Sequence, residues 1–289
     1  MPDPQAKTGK RCSAITWLLA WGVHFYTALG LVAAAAMAVL IIRGGEGAFR
    51  GAFLLMVAAT LIDATDGTLA RRLHIKEVLP GFDGRRLDDL VDFLTYTCLP
   101  LLLIWRARLL PPGQEWWLLA PLLASAYGFC QVSAKTDDGY FLGFPSYWNL
   151  VAFYLYVLRL EGWCAVALLV GLALLTFVPM RYLYPSQRGR LNRLTNLLAV
   201  AWAALLVWVI FRLPAGGPGS DLAEELTRMV TLLEFAEPAA SGPAIDEGTL
   251  RLTLISLFFP VYYLAASWLI SLRLWRRRRG AKKVRAALP

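Results

Sequence analysis

Four aspartates set the chemical question in this chain. Asp63 and Asp66 stand three residues apart, and Asp88 and Asp92 stand four apart. On a helix either spacing puts both carboxylates on one face. Each pair falls near one end of a long apolar run, and a carboxylate at the centre of a membrane helix costs about 2.5–3.5 kcal/mol, so these residues need a compensating partner. Two such runs joined by a short loop are expected to lie antiparallel, which lets the two acidic faces meet at similar depth. Four like charges so placed cannot all stay ionised unless cations sit among them. Oxygen-only ligation suits Mg2+, Mn2+ or Ca2+ rather than Zn2+ or copper. Paired ions on shared carboxylates characterise phosphoryl transfer, where they neutralise phosphate oxygens. Taken alone, the aspartates also allow a proton or cation relay in a transporter.

The residues between the aspartates argue against a relay. Gly67 directly follows Asp66 and, having no side chain, lets a substrate approach the helix backbone. Ala70 is the next small residue on that face, and Arg71 offers a guanidinium able to grip a diphosphate. Gly84 repeats the small-residue logic one turn before Asp88. His24 and His74 read as satisfied polar residues, and Cys12, Cys98, Cys130 and Cys164, which form no C-x-x-C pair, read as small core residues.

The elements that must position these residues are membrane helices. The chain is 58% hydrophobic and 17% charged with a mean hydropathy of +0.53, against about 45–50% and about 25% for soluble domains. Apolar windows give eight expected helices, at 15–42, 51–72, 85–106, 116–135, 146–160, 163–184, 194–212 and 251–274. The domain reading is a cytoplasmic segment 1–14, a transmembrane catalytic domain 15–275 and a basic cytoplasmic tail 276–289. Within the domain, 213–250 is a periplasmic excursion, Gly/Pro-rich at both ends and with an amphipathic middle. With both termini on one side, that side collects 21 of the 29 basic residues, leaving only Arg43, Arg50, Arg106, Arg108, Arg159, Arg212, Arg228 and Arg251 on the other. The positive-inside rule then makes both termini and the aspartate ends cytoplasmic. The net charge of +9 is explained by these loops and the tail, which suit anionic lipid headgroups, and gives no reason to expect nucleic acid.

Written out, the motif is Asp63-x2-Asp66-Gly67-x2-Ala70-Arg71-x12-Gly84-x3-Asp88-x3-Asp92. It resembles the signature of the CDP-alcohol phosphotransferase family. The gap between Arg71 and Gly84 is longer than in most of that family and resembles one branch, the bacterial phosphatidylcholine synthases, which join choline to CDP-diacylglycerol. A second stretch is similar to the same branch: Phe129-Cys130-Gln131, then Ala134-Lys135-Thr136-x-Asp138, then Phe141 to Asn149. The resemblance implies an all-α polytopic helical bundle in the bacterial inner membrane. It further implies two Mn2+ or Mg2+ ions held by Asp63, Asp66, Asp88 and Asp92, with Asp92 doubling as general base. Gly67, Ala70, Arg71 and Gly84 would line the CDP half of the lipid donor. A homodimer through membrane helices is the family's habit.

A quaternary ammonium acceptor is usually held by aromatic faces. Tyr140, Phe141, Phe144, Tyr147 and Trp148 are the candidates, although an interfacial aromatic belt explains them equally well. Lys135 either meets a phosphate or snorkels. Serine, inositol or glycerol phosphate stay open as acceptors, and a phosphorylated one would call for more basic residues near the fourth and fifth runs than Lys135 alone.

Overall fold

A computed structural model describes residues 13–131, 141–160, 162–182, 190–215 and 245–286. The helices are α1 (Ala14–Arg43), α2 (Glu46–Arg72), α3 (Ile75–Val78), α4 (Gly84–Asp92), α5 (Leu99–Arg106), α6 (Leu119–Cys130), α7 (Trp148–Leu158), α8 (Trp163–Phe177), α9 (Arg190–Arg212), α10 (Glu247–Ser256) and α11 (Phe258–Ala286). A π-helical turn over Phe93–Cys98 joins α4 to α5, and a 3-10 turn over Glu115–Leu118 leads into α6. The all-helical expectation is relaxed at one point, where β1 (Phe141–Leu142) pairs antiparallel with β2 (Arg181–Tyr182).

Every expected apolar run contains a helix, but their lengths differ from the windows. Among the described residues, four helices are long and apolar enough to cross a membrane: Ala14–Arg43, Glu46–Arg72, Arg193–Arg212 and Glu247–Arg273. Trp148–Leu158 and Trp163–Phe177 are shorter apolar helices. At 1.5 Å per residue they fall short of a hydrocarbon core about 30 Å thick. The run expected to reach residue 184 stops at Phe177 because Pro179 disfavours helical backbone at the residue before it. In the last run Pro260 sits just inside α11, where its missing N–H and its ring are tolerated, and the helix is interrupted at Leu257 ahead of it.

α1 and α2 form a tight antiparallel hairpin. The turn uses Gly44 at φ 73° and Gly45 at φ 86°, a region that side chains disfavour. Arg106 closes it from α5: its Nε and Nη2 donate to the carbonyls of Ile42 and Arg43, each at 3.2 Å. These carbonyls end α1 and lack helical partners. The core runs between α1, α2, α5, α7, α8 and α9, with Met37, Phe53, Leu103, Tyr156, Leu169 and Val209 all fully buried. Phe53 packs edge-on to Phe153 at 5.5 Å and lies 5.4 Å from Tyr156. The described cysteines are not core residues: Cys98 is half-buried, while Cys130 and Cys164 are exposed, and Cys12 lies outside the described residues. In an apolar solvent a small sulfur side chain gains nothing by turning inward.

Candidate functional site

The hairpin returns the chain so that α2 and α4 meet at one end of the bundle. There one carboxylate oxygen from each of Asp63, Asp88 and Asp92 lies within 4.8 Å of the other two, and all three residues are half-buried. That spacing fits a hard cation: oxygens on opposite sides of one ion stand roughly 4.2 Å apart around Mg2+ and about 4.8 Å apart around Ca2+. Three carboxylates in so small a space repel one another unless a cation screens them, so the donor set and its geometry agree with a divalent metal.

Asp66 is placed differently from the other three. It is 4% exposed and accepts a hydrogen bond at 2.9 Å from the hydroxyl of Thr27 on α1. Asp63 is fixed from another side by the Tyr96 hydroxyl, which donates to its Oδ2 at 2.8 Å. Tyr96 belongs to the π-helical turn, a distortion frequent at functional sites. Sequence reasoning missed both partners. Tyr96 was legible as the next residue on the face of Asp88 and Asp92, four positions further on, and Thr27 as a polar group inside an otherwise apolar helix.

Gly84 does not face open space. A Cβ there would come 2.4 Å from Cε1 of His24, so its missing side chain makes room for an imidazole of α1 rather than for a substrate alone. That imidazole packs on Phe82 at 4.4 Å. The residue is buried, and its Nε2 has no hydrogen-bond partner among the described residues, contrary to the expectation of a satisfied histidine. Gly67 and Ala70 are half-buried, and a Cβ on Gly67 would meet only the Arg71 guanidinium, at 3.3 Å. Arg71 is exposed and donates to Thr68 Oγ1 at 3.1 Å.

The aromatic candidates separate. Lys135 and Tyr140 lie outside the described residues, and Phe141 is described by its backbone only. Trp148 is fully buried, donates its indole N–H to Ser125 at 2.6 Å and lies edge-on to the buried Phe144 at 5.3 Å. Both rings are packed against protein, which favours a structural role for them over an acceptor contact. Tyr147, at the N-cap of α7, is half-buried and its ring lies 6.5 Å from that of Tyr96.

Residues 23–216 match the family model described as CDP-alcohol phosphatidyltransferase. The chain belongs to that family. The matched stretch contains α2 and α4 whole and so every residue of the CDP-alcohol phosphatidyltransferase motif. The phosphatidylcholine synthase of Pseudomonas aeruginosa is 37% identical over 200 residues, covering 69% of this chain and 83% of that relative. That of Borreliella burgdorferi is 31% identical over 223 residues, covering 77% and 92%. That of Bradyrhizobium diazoefficiens is 38% identical over 209 residues, covering 71% and 76%.

Proposed function

We propose that this chain transfers the phosphatidyl group of CDP-diacylglycerol to choline, giving phosphatidylcholine and CMP. The observation that carries the reading is the convergence of Asp63, Asp88 and Asp92 from two helices in a chain of this family; its likeness to phosphatidylcholine synthases supplies the acceptor. In this reading Asp63, Asp66, Asp88 and Asp92 hold two Mn2+ or Mg2+ ions, and Gly67, Ala70 and Arg71 border the CDP moiety. Gly84 serves that border indirectly, through His24. When bound, the ions neutralise the pyrophosphate oxygens and the charge that builds on the departing CMP.

Choline's hydroxyl is a poor nucleophile at neutral pH, so a carboxylate within hydrogen-bond reach must take its proton, and Asp92 is assigned that role. The choline oxygen bonds to the β-phosphorus, which bears diacylglycerol, as the bond from that phosphorus to the bridging oxygen breaks. CMP leaves with the electron pair, and no phosphatidyl-enzyme forms. The apolar helices lie in the bacterial inner membrane in this reading, four of them long enough to cross it. Residues 1–14, the aspartates and the tail 276–289 are then cytoplasmic, the catalytic domain spans 15–275 with 213–250 as a periplasmic excursion, and the protein is a homodimer. The decisive assay uses purified protein with CDP-diacylglycerol, choline and Mn2+ or Mg2+. CMP and phosphatidylcholine in equal amounts support the reading, whereas cation flux with no CMP would replace it with a transporter.

A further inference from the structure

An acceptor of the choline class poses two demands at once. Its hydroxyl must reach the carboxylates, while its trimethylammonium has no N–H to donate and is held by aromatic ring faces, a cation within about 6 Å of the ring centroid being attracted by the ring quadrupole. Three single bonds of roughly 1.5 Å join the two ends, so the ammonium subsite must begin about 4 Å from the reacting oxygen. Whatever holds it must be an aromatic residue touching the aspartate triad.

Tyr96 meets that condition. Its hydroxyl is hydrogen-bonded to Asp63 at 2.8 Å, so its ring starts at the edge of the carboxylates, held there by the π-helical turn. The neighbouring ring is Tyr147, with centroids 6.5 Å apart and planes inclined at 54°, a separation at which one cation can lie within about 6 Å of both centroids. Tyr147 is partly open, whereas the Tyr96 ring is buried at 9% exposure, and a cation–π contact strengthens where the cation is desolvated. Tyr147 makes a side-chain hydrogen bond with Tyr263 of α11, whose ring in turn stacks on Tyr182 of β2 at 6.2 Å. Four elements far apart in sequence thus bring a tyrosine wall up to the carboxylates. We infer that Tyr96 and Tyr147 form the ammonium subsite of the acceptor, and that Tyr263 is a positioning residue for Tyr147. The subsite selects quaternary ammonium alcohols over primary amines, since a primary ammonium loses hydrogen bonds to water that ring faces do not replace.

This inference rests on the proposed transfer reaction, and its test separates the two. Wild-type protein is first assayed for CMP release with choline. Position 147 is then substituted with phenylalanine and with phenylalanines carrying increasing numbers of ring fluorines, which keep the shape of the ring while draining its quadrupole. The choline KM should climb stepwise with fluorination, to about tenfold or more for the most fluorinated ring, while the CDP-diacylglycerol KM stays within about twofold. In wild-type protein, tetramethylammonium should compete with choline and not with CDP-diacylglycerol. A choline KM that is flat across the series overturns the ammonium subsite and leaves the transfer reaction standing. No choline-dependent CMP release from wild-type protein removes both. Tyr263→Phe should raise the choline KM alone, and equal changes in both constants would reduce Tyr263 to a structural residue.

Discussion

Thr27 of α1 donates its hydroxyl to Asp66 of α2 at 2.9 Å, so a residue outside the aspartate motif orients one of its members. Partners of metal-binding carboxylates typically contribute 10–100-fold in metal affinity or activity. Thr27→Val keeps the shape and removes the donor. The Mn2+ or Mg2+ concentration giving half-maximal activity should rise by about tenfold or more. An unchanged metal requirement would make the contact mere packing.

Metal removal is the broader test of the same site. EDTA should abolish turnover and Mn2+ or Mg2+ restore it, since oxygen-only ligands release such ions readily. Asp63→Ala and Asp88→Ala should each lower activity by more than about a hundredfold, as each deletes a ligand and leaves the other charges unbalanced. Full activity in excess chelator would rule out a metal-dependent transfer.

Asp92→Asn keeps the size and one oxygen of the side chain but removes the base. CDP-diacylglycerol binding should persist while kcat falls by about 10²–10⁴. Direct attack also means that labelled CMP does not exchange into CDP-diacylglycerol when choline is absent. Rapid exchange would require a covalent ping-pong route.

Gly84→Ala places a methyl group 2.4 Å from His24 Cε1. The clash should lower stability by about 1–3 kcal/mol, read as a lower thermal midpoint in detergent. Adding His24→Ala makes room for the methyl, so the double variant should recover part of that loss relative to His24→Ala alone. Strict additivity of the two changes would show that Gly84 is needed for something other than the imidazole.

Trp148→Ala should be a stability variant. It removes a fully buried ring and leaves Ser125 without its indole donor, a change of about 3–5 kcal/mol for a large core aromatic. The protein that still folds should keep a choline KM within about twofold of wild type. A selective rise in that constant would return Trp148 to the acceptor site.

The aspartates and their helices were legible because both signals are local. Spacings of three and four residues define a helical face, and the apolar runs that carry them can be counted along the chain. The helical runs were legible as well, since twenty apolar residues have few other fates. Helix ends were less so: the stop at Phe177 and the break at Leu257 follow from prolines inside runs that hydropathy alone reads as continuous.

Sequence by itself therefore determined that two acidic helix faces exist and which chemistry they suit. The fold decided how the members differ. Asp66 stands beside the close trio of Asp63, Asp88 and Asp92 rather than within it, held across the α1–α2 contact by Thr27, 39 positions away. Gly84 is small because His24 of α1 lies on it, and Trp148 is core while Tyr147 stays open, although the two are adjacent in the chain. Tyr96 reaches Asp63 through a π-helical turn. These outcomes depend on which helices touch and at what rotation, and that is set by packing summed over the whole bundle rather than by any local run of residues.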